Sequence, residues 1–114
     1  MDNSNDLYIL WTNADPITAE KMVFMYALNS LKRHWWDRVT VIIWGAPARL
    51  VADNEEISSA VRQLLDNGVS FSACKACADE LGVSEVLEGI GIEVKFWGEP
   101  LTQLLKSKAN LLSV

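Results

Sequence analysis

Short apolar runs of strand length alternate with stretches of helical periodicity from one end of the chain to the other, and this alternation narrows the fold more than any other feature. Leu7-Tyr8-Ile9-Leu10-Trp11 is an unbroken apolar run followed by the polar turn Thr12 to Pro16, the pattern of a buried strand and its exit. Asp15 is placed to cap the next helix and Pro16 to fill its first turn, where a missing N–H costs nothing. Met22, Val23, Tyr26, Ala27 and Leu31 then share one helical face, with Glu20, Lys21, Lys32 and Arg33 largely elsewhere. Val39 to Trp44 is a second, β-branched run that closes at Gly45 and Pro47. Asp53-Asn54-Glu55-Glu56 has the form of a capping box with Asp53 as the cap, ahead of a stripe of Ile57, Val61, Leu64 and Leu65 that stops at Asn67-Gly68.

Val69 to Ser72 resumes as strand and leads into Ala73-Cys74-Lys75-Ala76-Cys77. Cys77 to Leu81 reads as a short helix closed by Gly82, and Ser84 to Leu87 as a further turn before a break at Gly89-Ile90-Gly91. Ile92, Val94 and Phe96 alternate with Glu93 and Lys95 as in a half-buried strand. Glu99-Pro100 opens a helix carrying Leu101, Leu104 and Leu105, and Leu111 to Val114 supplies a last strand. Five strands interleaved with helices predict a three-layer α/β/α sandwich around a mainly parallel five-stranded sheet, because parallel neighbours need crossover connections. At 114 residues the chain has room for a single such domain, residues 1–114.

A formal charge of −5 and a pI near 4.7 argue against direct nucleic-acid binding, which needs clustered positive charge to displace phosphate counterions. The longest apolar stretches, Leu7 to Trp11 and Val39 to Ala48, fall short of the roughly 20 residues that cross a bilayer, so no membrane span is expected. Met1 to Asp6 is acidic and polar rather than basic and then greasy, which points to a cytoplasmic protein.

Cys74 and Cys77 are the only cysteines, and in a reducing compartment their Cys-x-x-Cys spacing favours reactive chemistry over a structural bridge. They fall at the carboxyl end of the third strand, where ligands of parallel sheets gather. Unpaired N–H groups at a helix start, together with Lys75, favour a thiolate, and a spacing of three puts both sulfurs on one side of a helical turn. Cys74 and Cys77 are thus the candidate catalytic residues, and Lys75 and Asn13, the latter in the loop after the first strand, the candidate binding residues. No metal and no cofactor is called for: zinc needs about four ligands, and the lone His34 is remote from the pair. Two small buried hydrophobes remain the alternative reading of the cysteines.

The run Cys74-Lys75-Ala76-Cys77-Ala78-Asp79-Glu80-Leu81-Gly82-Val83, preceded by Gly68-Val69 and a short strand, resembles the cysteine segment of the DsrE/DsrF-like family, particularly its YchN-like members. The resemblance implies a layered α/β fold, assembly into homo-trimers or hexamers, and sulfur relay between donor and acceptor proteins. In the sulfur-carrying branch the cysteine after this strand accepts sulfane sulfur as a persulfide, and by position it matches Cys74. A second cysteine three residues later is not general there, so Cys77 aligns the chain with the YchN-like branch. Two other readings stand beside this one: an oligomeric small-ligand binding module, and a thiol–disulfide sensor.

The remaining features read as structural. Gly89-Ile90-Gly91 lacks the third glycine of a dinucleotide loop, and no phosphate loop, nucleophile elbow or zinc-protease helix is present. His34 follows Lys32-Arg33 at a helix end where positive charge complements the dipole, and Asp79 and Glu80 suit the first turn of a helix for the same reason. Trp35-Trp36 lies in a connector, which predicts that these indoles join Trp44 or Trp97 in a subunit interface.

Overall fold

The computed structural model describes residues 5–114. Its strands, β1 (Asp6–Trp11), β2 (Arg38–Ile43), β3 (Ser70–Cys74), β4 (Glu93–Lys95) and β5 (Asn110–Ser113), form one sheet in the order β4-β3-β2-β1-β5. Every pairing is parallel, so all five carboxyl ends lie along one edge. The expected α/β architecture is present, with the sheet wholly rather than mainly parallel.

The first crossover is helical from Pro16 to Lys32, as α1 (Pro16–Thr18), a π-helical stretch (Ala19–Phe24) and α2 (Met25–Lys32). Asp15 Oδ2 accepts from the Thr18 N–H at 2.9 Å, the cap foreseen in the sequence. The wider π turn brings Phe24 inside beside Val23, while Met22 and Tyr26 stay half-buried. Phe24 meets Trp11 and Phe71 edge-to-face, with centroids 5.4 and 6.2 Å apart, tying helix, β1 and β3 together.

Between β2 and β3 stand α3 (Ala46–Asp53), which the sequence pattern did not reveal, and α4 (Glu55–Asp66). The capping residue of α4 is Asn54, not Asp53: its Oδ1 accepts from the Ile57 N–H at 3.0 Å, and Asp53 ends α3. The next crossover holds α5 (Lys75–Leu81) and α6 (Ser84–Ile90); α6 includes Gly89 and Ile90, so the break falls at Gly91 alone, whose φ of 112° ends the helix. Phe96 lies past β4 and is 64% exposed, so the strand alternation stops one step earlier than expected. The last crossover is α7 (Gly98–Lys106).

The strand order assigns each helix to a face. β1 to β4 step in one direction, and the return from β4 to β5 places α7 on the opposite face, as expected where crossovers share one hand. Alternate strand residues accordingly feed two cores. Leu7, Ile9, Trp11, Val39, Val41, Ile43, Phe71 and Ala73 pack under α1 to α6. Ile42, Cys74 and Trp97 pack with half-buried Tyr8, Leu10, Trp44, Leu101 and Leu104 on the α7 side. No residue of α7 is fully buried, so this second layer is thin.

Candidate functional site

β3 passes into α5 with no residue between: Cys74 is the last strand residue and also the N-cap of α5. Its side chain makes no capping hydrogen bond and points to the α7 side against Ile42 and Trp97, 5% exposed. Cys77, half-buried on the first turn of α5, turns back toward it. Both thiols are free, and Cys77 packs against the small cluster of Ile42, Cys74 and Trp97. The spacing of three therefore unites the pair as expected.

The electrostatics differ from the sequence expectation. Burial, the neighbouring Cys74 sulfur and the Glu80 carboxylate push the Cys77 thiol above the ordinary value of 9.0, and a backbone hydrogen bond from Gly45 opposes them only in part. Lys75 does not serve either sulfur. Its Nζ bonds Asp79 Oδ2 at 2.9 Å and lies 5.8 Å from the Phe96 ring centre. Asp79 in turn accepts from Ser84 Oγ, and these two partners hold its carboxyl below the usual 3.8. Asp79 is thus engaged across the α5–α6 corner.

Loops at the carboxyl ends of β1 and β2 meet α3 and α5 around an open cleft of about 1070 Å³. Cys77 lines it together with apolar Ala14, Leu50 and Leu81; Arg49, Asp53, Glu55 and Glu80 supply the charged part of its wall. Cys74 is outside this lining, behind Cys77. Asn13 is outside it too: its Oδ1 accepts from the Asp15 N–H at 2.7 Å and its carbonyl from Trp11 Nε1 at 2.7 Å, so it shapes the turn while Ala14 faces the cleft. The sheet's topological switch, between β1 and β5, is closed by Thr12, whose N–H and Oγ1 both donate to the Val114 carbonyl. Sequence reasoning missed the α3 contribution, Gly45 and Arg49 above all. The signal was Gly45-Ala46-Pro47, a glycine before a proline near a helix start.

The features read as structural fare unevenly: α5 begins at Lys75, two residues earlier than expected, so Asp79 and Glu80 fall in its later turn and its first turn holds no acidic residue. His34, at φ 58°, ends α2 in the left-handed conformation at the amino edge of the sheet, far from the cleft. Trp97 is buried and donates from Nε1 to Ser72 Oγ at 2.7 Å, so it is a core residue and not an interface indole. Trp35 is 51% exposed, while Trp36 donates to Tyr26 Oη; both precede β2, at the opposite sheet edge from Trp44. Among the described residues, no group of three or more His, Cys, Asp or Glu is arranged to hold a metal, and no helix is long and apolar enough to cross a membrane.

No family model and no curated protein matches the chain. Among solved structures, the conserved protein of unknown function BT1422 from Bacteroides thetaiotaomicron is 37% identical, with a TM-score of 0.94 over 96% of this chain and 95% of that one. This chain belongs to the same family. The fold of this chain is also similar to that of the ychN protein from E. coli, with a TM-score of 0.73 and 16% identity over 96% of this chain and 99% of that one. The YchN-like fold expected from the cysteine segment is therefore the fold of this BT1422 family member.

Proposed function

We propose that the protein is a homo-oligomeric sulfur-relay protein that carries sulfane sulfur on the Cys74–Cys77 pair. The supporting observation is the packing of two free thiols in one cluster, one lining an open cleft and the other shielded behind it. In this reading Cys77 meets the donor. Its thiolate attacks the terminal sulfur of a persulfide R–S–SH, the donor S–S bond breaks, and R–S⁻ leaves and takes a proton from solvent. The Cys74 thiolate then attacks the outer sulfur of Cys77–S–SH, which moves the sulfur to the shielded position and returns the Cys77 thiolate. Neither step changes the overall oxidation level. Burial at Cys74 protects the sulfur from stray reductants until an acceptor protein docks.

Intact mass after exposure to 2-mercaptoethanol persulfide, a donor whose body carries no charge, tests the proposal. The wild type gains about 32 Da per retained sulfur, Cys77→Ser loads at least about tenfold more slowly, and Cys74→Ser carries an adduct that mild thiol removes at once. Absence of the adduct in the wild type, or its persistence in the double variant, ends the reading. The same thiol contact favours a thiol–disulfide sensor as the second reading, in which a mild oxidant yields a Cys74–Cys77 bridge and no sulfur adduct.

A further inference from the structure

We propose that the cleft at Cys77 selects sulfane-sulfur donors that are small, apolar in body and positively charged, and that it turns away anionic donors such as thiosulfate. This rests on the sulfur-relay reading for the identity of the ligand. The selectivity itself follows from the wall of the cleft. Leu50, Leu81 and Ala14 offer an apolar floor beside the thiol. Asp53, Glu55 and Glu80 place three carboxylates around it against one guanidinium, Arg49. That guanidinium is already engaged: Nε stands 4.0 Å from Asp53 Oδ2, and Nη2 donates to the Leu81 carbonyl at 3.3 Å. Lys75, the nearest other cation in sequence, is tied to Asp79 and is absent from the lining. An anion entering the cleft thus meets a net excess of carboxylates, with the one guanidinium turned toward Asp53 and the Leu81 carbonyl, while an ammonium group finds carboxylates on several sides. The Glu80 carboxylate acts on the thiol itself, which places negative potential where the incoming sulfur must arrive.

Two measurements on the full chain test this. First, Cys77 in a Cys74→Ser background is labelled with a trimethylammonium-ethyl and a sulfonato-ethyl methanethiosulfonate. Each reagent forms Cys77–S–S–R and releases methanesulfinate, and each rate is divided by that of a free thiol with the same reagent. The cationic reagent is favoured by roughly tenfold or more at low ionic strength, and the preference shrinks as salt is added. Asp53→Asn removes one carboxylate and releases Arg49, so the ratio falls to within about threefold of unity. A wild-type cleft with a ratio near one, a preference for the anion, or no labelling of Cys77 by either reagent overturns the proposal. Second, sulfur loading is followed by mass with cysteamine persulfide and with mercaptoacetate persulfide, a pair of similar length and opposite charge. The cationic donor loads at least about tenfold faster, and thiosulfate does not load. Equal loading by both persulfides sinks the selectivity and leaves relay intact. No loading from these or from 2-mercaptoethanol persulfide sinks relay, and the labelling ratio still reports on the cleft.

Discussion

At the residue scale, the pair of thiols was legible from its spacing, but the state of each sulfur was not. Proximity to a helix start and a lysine argued for a depressed thiol, but burial, then the neighbouring Cys74 sulfur and the Glu80 carboxylate, reverse this at Cys77, while the lysine pairs with Asp79. Alkylation of Cys77 is therefore expected to rise with pH through a midpoint above 9.0, since only the deprotonated form attacks and its formation is disfavoured. Glu80→Gln removes a like charge and shifts that midpoint down; the pH dependence of the iodoacetamide rate, read by mass at Cys77, checks both statements. Elsewhere, Ser30 Oγ is buried in α2 without a hydrogen-bond partner among the described residues. Ser30→Ala deletes a hydroxyl that has lost its water and found no replacement, so stability is expected to increase by about 1 kcal/mol in urea unfolding, with an unchanged slope.

At the scale of elements, strands and long helices were legible because their apolar periods differ, whereas α3 was missed and α6 was foreseen only over Ser84 to Leu87. Each is only a turn or two longer than the glycine or proline signals that flank it. Those residues punctuate a chain whether they start a helix or end one, so their type alone leaves the direction open. The α2 exit shows the same limit. A helix-end cation was foreseen at His34, but its role there is conformational: it adopts φ 58° and lets the Trp35 and Trp36 N–H groups reach the Ser30 carbonyl. A side chain in that left-handed region costs about 1 kcal/mol relative to glycine. His34→Gly is expected to raise the Tm by several degrees while leaving cysteine labelling unchanged, as scanning calorimetry and alkylation would show.

At the scale of the whole molecule, the sheet order could not be read from a single sequence, because the return from β4 to β5 is a long-range event that no local pattern encodes. Its result is an uneven sandwich, thick beneath α1 to α6 and thin beneath α7, where Tyr8, Leu10, Leu101 and Leu104 remain half-buried and Leu105 is 57% exposed. Burial of that thin side against further copies would complete it, so light scattering at micromolar concentration is expected to report a mass above that of one chain, and Leu105→Glu to reduce it. A mass of 12.7 kDa for the wild type would remove the oligomer from the proposal. The seam between β3 and α5, where one cysteine belongs to both elements, has a mechanical corollary. With no slack between them, the orientation of the second sulfur is fixed by the sheet itself. One alanine spliced in after Cys74 would swing every later α5 side chain by about 100° about the helix axis. The sulfurs would then part and a mild oxidant would no longer join them in a disulfide, although no atom of either thiol had been replaced.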